Sequence, residues 1–117
     1  MRKIIAFLIL VLFCSSLSAA SSYYRSRTIV GAGIYFDGAK SILIIDINGA
    51  KPGLPSCATT NRLAISSTAP HYKEIVSIVM TAYTSNQNNV DIFVTDTCEH
   101  WGNSQDILGV KMGSIAW

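Results

Sequence analysis

Charge is scarce in this sequence. Asp, Glu, Lys and Arg make up 14% of its 117 residues, and there are 2 histidines and 3 cysteines. Each scarcity closes off a class of chemistry. Gly31 and Gly33 are followed by neither a third glycine nor a helical pattern, so no phosphate-cradling loop is encoded. No Gly-x-Ser-x-Gly elbow occurs, which leaves Ser, His and Asp as composition and not as a hydrolase triad. No carboxylate pair is singled out by its spacing. The one uninterrupted apolar run, Ile4 to Phe13, is shorter than the ~20 residues that cross a bilayer, so stable membrane insertion is not expected.

That run belongs to a different pattern. Met1-Arg2-Lys3 is a basic start, Ile4 to Phe13 is the apolar segment, and Ser18-Ala19-Ala20 is a small-residue cleavage site. Together they predict a signal peptide over 1–20 and a single domain over 21–117, secreted or periplasmic after cleavage near Ala20. Cys14 does not make a lipid-attachment site, because the bulky Phe13 precedes it where a small residue is needed. Arg2 and Lys3 leave with the leader, so the 9 Lys and Arg become seven, against 7 Asp and Glu. A neutral mature chain offers no electrostatic footprint for nucleic acid or an anionic membrane surface.

Cleavage also removes Cys14, leaving Cys57 and Cys98. An even pair in a small exported domain reads as one disulfide. Closing a loop of that length stabilises the fold by about 4 kcal/mol in the chain-entropy description.

The mature chain carries a single long stretch of helical period, Tyr72 to Tyr83. Tyr72, Ile75, Val76, Val79, Ala82 and Tyr83 follow the i, i+3, i+4, i+7 rule and share a face, which reads as core. Ile78 and Met80 flank it and widen the apolar arc to roughly 200°, more than packing on one small sheet requires. Ser67 or Thr68 would cap this helix, with Pro70 in its first turn.

Around the helix lie short β-type runs. Ser21 to Arg27 reads as a polar, frayed start. Thr28 to Phe36 is the first strand, with Gly31 and Gly33 marking a bend or bulge. Asp37-Gly38 makes a hairpin turn into Ser41 to Asn48, and Cys57 to Ser66 is the third strand. Val90 to Thr95 and Asp106 to Ile115 follow the helix. The class is mainly β with one helix, in the order β-β-β-α-β-β. This is the chain order of an OB-like five-stranded antiparallel barrel; the alternative is an open antiparallel sheet with one packed helix.

A leader, a small OB-type domain, the wide-arced helix Tyr72 to Tyr83, then Val90-Asp91-Ile92-Phe93-Val94 running to Cys98 and a closing strand from Asp106 resemble a known family. They resemble the B subunits of bacterial toxins that carry one A chain on a B pentamer. Cys98-Glu99-His100-Trp101-Gly102 is also similar to a group of uncharacterised small exported bacterial proteins. The toxin resemblance implies a non-enzymatic, glycan-binding homo-oligomer, a pentamer whose helices line a central pore. It carries over no sugar-binding residue. In such a ring Tyr72, Ile75, Val76, Ile78, Val79, Met80 and Tyr83 would serve both the core and the neighbouring subunit.

Asp96, Cys98, Glu99 and His100 are four metal-ligand types in five residues, but the disulfide takes Cys98 and only His71 remains as a further histidine. The same pairing removes the thiolate that a Cys-His nucleophile would need. We therefore expect no metal, no cofactor and no catalysis. Trp101, beside Gly102 in a polar loop, is the ligand-binding candidate, because an indole offers a flat apolar face and a donor. Its neighbour His100 and the terminal Trp117 are secondary candidates. The expected function is an exported binding protein for a glycan or a protein; the alternative is a monomeric periplasmic structural or inhibitory protein that docks through a strand edge.

Overall fold

The computed structural model describes residues 21–116. The leader and Trp117 lie outside the described residues. Six strands and one helix follow one another: β1 (Ser21–Arg27), β2 (Ile29–Asp37), β3 (Lys40–Ile47), β4 (Leu63–Ser66), α1 (Tyr72–Thr84), β5 (Val90–Thr95) and β6 (Gln105–Met112). The strands form one sheet in the order β1-β5-β6-β4-β3-β2.

The class is as expected, mainly β with one helix, but the five-stranded antiparallel barrel is not what forms. The sheet is six-stranded, open and mixed. Two features account for the difference. First, Ser21–Arg27 is no frayed start. Its Tyr24 is 2% exposed, and β1 pairs with β5 from Ser21↔Thr95 to Arg27↔Val90. A bulge between Tyr24 and Arg27 and a second between Ile29 and Gly31 flank Thr28, where the chain leaves one edge of the sheet for the other. Ser26, at φ 54°, sits in the first bulge, and its N–H donates to Asp91 Oδ1 at 2.9 Å. Second, β4 and β6 run parallel, with Leu63 opposite Gln105 and Ala64 opposite Asp106. A parallel pair needs a long crossover, and here α1 and β5 supply it.

Other boundaries shift for local reasons. The third strand begins at Leu63 rather than Cys57, because turns from Pro55 to Ala58 and Cys57 to Thr59 occupy the intervening chain. The closing strand starts at Gln105 and stops at Met112, where Gly113 takes φ +86°. Gly38, at φ +63°, makes the β2–β3 hairpin turn, a conformation that costs a side-chain-bearing residue about 1 kcal/mol or more.

One face of the sheet packs on α1. Leu43, Ile45 and Ile47 of β3, Leu63 and Ile65 of β4, and Ile92 of β5 meet Ile75, Val79 and Ala82 of the helix. Each Val, Leu or Ile buried this way contributes about 1.5–3 kcal/mol. Tyr72, Val76 and Ile78 pack at the margin, while Met80 and Tyr83 are 43% and 41% exposed. Tyr83 is therefore not core, although at ~100° per residue it lies no farther from the centre of the buried stripe than Val76: it sits in the last turn of the helix, past the sheet, while Met80 lies well off the stripe. The helix also starts without the expected Ser or Thr cap. His71 holds the N-cap position with no side-chain hydrogen bond; Ser67 Oγ accepts from the Ser41 N–H instead, and the Thr68 hydroxyl is engaged with Ser66 Oγ.

The opposite face of the sheet is set by register. Directly paired residues share a face, so Gly33, Ile44, Ala64 and Asp106 form one row and Tyr35, Ile42 and Ser66 the next. Ile42 and Ala64 are fully buried but stand outside the core on the helix side. This outer face carries the candidate site.

Candidate functional site

The segment between β5 and β6 is built onto the outer face by Asp106. Asp106 is 3% exposed, and its carboxylate accepts from the Glu99 and His100 N–H groups, both at 2.9 Å, and from the Thr97 hydroxyl. Its own N–H donates to the Thr97 carbonyl at 3.0 Å. Farther along, the Asn103 carbonyl accepts from the N–H and hydroxyl of Thr60, at 3.2 and 3.0 Å. The Cys57–Cys98 disulfide, Cα to Cα 6.2 Å, ties the same segment to the long loop after β3.

Held this way, Trp101 lies against Tyr35 of β2, with ring centroids 5.0 Å apart and planes 10° from parallel. The Arg62 guanidinium stands 4.7 Å from the indole centroid. Two partners thus meet Trp101 face-on, and the indole is half-buried. Tyr35 is the open member of the cluster at 53% exposed. An aromatic ring of this kind stacks on the apolar face of a sugar, and the cation beside it interacts with an anion or a hydroxyl. Next to Tyr35 on β2, Gly33 has nothing within 4 Å of where a side chain would begin, so the backbone there is open to a flat ligand.

Sequence reasoning named Trp101 but passed over Tyr35 and Arg62. Tyr35 alternates outward along β2, which is a legible signal, but its partner across the fold is not. His100, a secondary candidate, lies apart from the stack. It lines a cavity of about 340 Å³ together with His71, Pro70, Ile75 and Ile107, so both histidines of the chain border one space. Among the described residues no group of three His, Cys, Asp or Glu is placed to hold a metal ion, and Cys98 is in the disulfide. Trp117 lies outside the described residues.

A second aromatic–cation cluster occupies β1 and β5. Tyr23 stacks on Phe93 with centroids 4.6 Å apart, and the Arg25 guanidinium stands 4.3 Å from the Tyr23 centroid. Beside it Asp91, nearly buried, pairs with Lys111 at 3.0 Å and Arg25 at 3.2 Å. Burial opposes ionisation of Asp91. The Ser26 N–H, Lys111 and Arg25 outweigh it and hold the carboxyl below the usual range. Beneath, Tyr24 donates to Gln105 Oε1 at 2.7 Å, and burial raises its phenol above the ordinary value despite that bond and Arg27.

Neither a family model nor any curated protein matches this sequence. Solved structures do match. Two are Salmonella typhi PltB homopentamers, both point mutants, one of them with Neu5Ac-alpha-2-3-Gal-beta-1-4-GlcNAc glycans. Each is 14% identical, with a TM-score of 0.56, over 80% of this chain and 86% of that chain. The chain shares the fold of PltB. At that identity the likeness to PltB is one of architecture and assigns no residue a role.

Proposed function

We propose that the mature chain is an exported, non-enzymatic glycan-binding subunit that assembles into a homo-oligomer, a pentamer of the toxin B-subunit type. The observation that carries this reading is the shared fold with a PltB homopentamer that holds glycans. The outer-face cluster supplies a chemistry to match. Tyr35 stacks on a sugar ring, Trp101 backs Tyr35, and Arg62 contributes the cation. The wide apolar arc of α1 fits assembly, since Met80 and Tyr83 leave an apolar flank beyond what the chain's own sheet covers. The disulfide fits export.

The test is a glycan array with the mature, oxidised protein, read beside its Tyr35→Ala variant, together with light scattering. Binding by an oligomer, weakened in Tyr35→Ala, is the expected result. A monomer with no glycan ligand would overturn the reading. It would favour instead a protein-binding monomer acting through the edge strand β2, whose Val30, Ile34 and Phe36 are 54%, 56% and 76% exposed.

A further inference from the structure

We infer that Asp106 is the positioning residue of the ligand platform: it presets the segment that sets Trp101 against Tyr35, and it does so without touching ligand. The inference rests on the glycan-binding reading of that platform. The geometry is direct. Asp106 is on β6, whose register fixes it beside Ala64 of β4, on the same face as Gly33 and Ile44. From that fixed point its two carboxylate oxygens gather three donors from one short stretch, Thr97 Oγ1, Glu99 N and His100 N. Trp101 is the next residue after the last of these. A carboxylate accepts at both oxygens, so one side chain can orient two consecutive peptide N–H groups and a hydroxyl at once. Bonds to a charged acceptor are about twice as strong as neutral ones.

The remaining anchors of the segment do not replace it. The disulfide holds Cys98, upstream of the two amides that Asp106 captures, and Thr60 holds Asn103, downstream of Trp101. Between these ties the Ser104 N–H closes a turn onto the Trp101 carbonyl at 2.9 Å, on the far side of the indole, and the backbone direction at Glu99 and His100, which leads into Trp101, depends on Asp106. A rigid platform binds better than a mobile one because less ordering is lost on binding.

The test uses the mature, oxidised chain carrying Trp117→Phe, which leaves Trp101 as the sole tryptophan of the domain. Asp106→Asn preserves shape but turns one acceptor into a donor aimed at donors. Thr97→Val is the milder companion if the asparagine variant does not fold. Binding is measured to immobilised Neu5Ac-alpha-2-3-Gal-beta-1-4-GlcNAc, the glycan held by PltB. Acrylamide quenching reports how well Trp101 is covered. The expected result is an affinity loss of about tenfold for Asp106→Asn and a smaller loss for Thr97→Val, both with raised quenching. In a Tyr35→Ala background neither substitution should lower the residual affinity further, since both act through the stack. Equal losses in both backgrounds, or unchanged quenching in a folded variant, would overturn the assignment. If the parent chain binds no glycan, the functional reading fails, and quenching alone still decides whether Asp106 sets Trp101.

Discussion

Tyr35 and Trp101, one on an edge strand and the other in the loop before the last strand, stack with centroids 5.0 Å apart and nearly parallel planes. On the proposed glycan-binding reading, this pairing leaves the exposed tyrosine, and not the tryptophan, as the surface offered to a ligand. Tyr35→Ala should therefore reduce glycan affinity by about fivefold to tenfold, the scale of one aromatic stacking contact. Tyr35→Phe, which keeps the ring, should stay close to the parent. Calorimetric titration of both variants checks this. A larger loss for Trp101→Ala than for Tyr35→Ala would show that the indole itself carries the contact.

The disulfide and the platform are separable. Cys57 and Cys98 close a loop with a sequence separation of 41, so the Cys57→Ser, Cys98→Ser double variant should lose about 4 kcal/mol of stability in denaturant titration. If the glycan-binding proposal holds, its glycan affinity should nonetheless change little, because Asp106 and Thr60 still anchor the segment around Trp101. Thiol labelling of the native parent should modify neither cysteine.

How much of this was open to reading from the sequence depended on how local the determining interactions are. The helix was legible from Tyr72, since its period is set within a few residues, and Val90–Thr95 was legible from its β-branched content. The Asp37-Gly38 hairpin was legible for the same reason. What escaped was settled across the fold. Ser21–Arg27 looks polar, and only the long-range bond from Tyr24 to Gln105 and its pairing with β5 make it a strand. The parallel match of Ala64 with Asp106 has no local signature, and it decides which face Asp106 occupies. Trp101 could be singled out as an aromatic in a polar loop, but Tyr35 and Arg62 could not be joined to it without that register. Tyr83 follows the helical period yet is exposed, because the period says which way a side chain points and not where the sheet ends.

Acid should reveal the Asp91 pair. Its folded-state carboxyl titrates below the ordinary value, so its contribution to stability is present above the unfolded pKa and is lost as pH falls through the lower folded value. At pH 7 Asp91→Asn should cost about 3 kcal/mol, since it leaves Lys111 and Arg25 beside an uncharged group. The gap between parent and variant should narrow steadily once the pH drops below about 3.8, the ordinary value of an aspartate carboxyl. Urea melts across that window check the sign. A gap that widens in acid would mean that Asp91 is protonated more readily in the fold than out of it.

The exposed flank of α1 gives the sharpest test of assembly, because fold and association respond to neighbouring positions. Val79 is fully buried, and Val79→Asp should abolish folding by placing an unpaired charge in the core. Met80 is the next residue and is 43% exposed, so a monomer has no reason to reject a charge there. Met80→Asp, alone or with Tyr83→Asp, should leave the circular dichroism and melting of the isolated fold intact. If α1 packs against neighbouring copies, the same substitution places a charge in a subunit contact and should shift the scattering mass from oligomer to monomer. An oligomer that survives both charges would move the interface off the helix and onto the sheet edges.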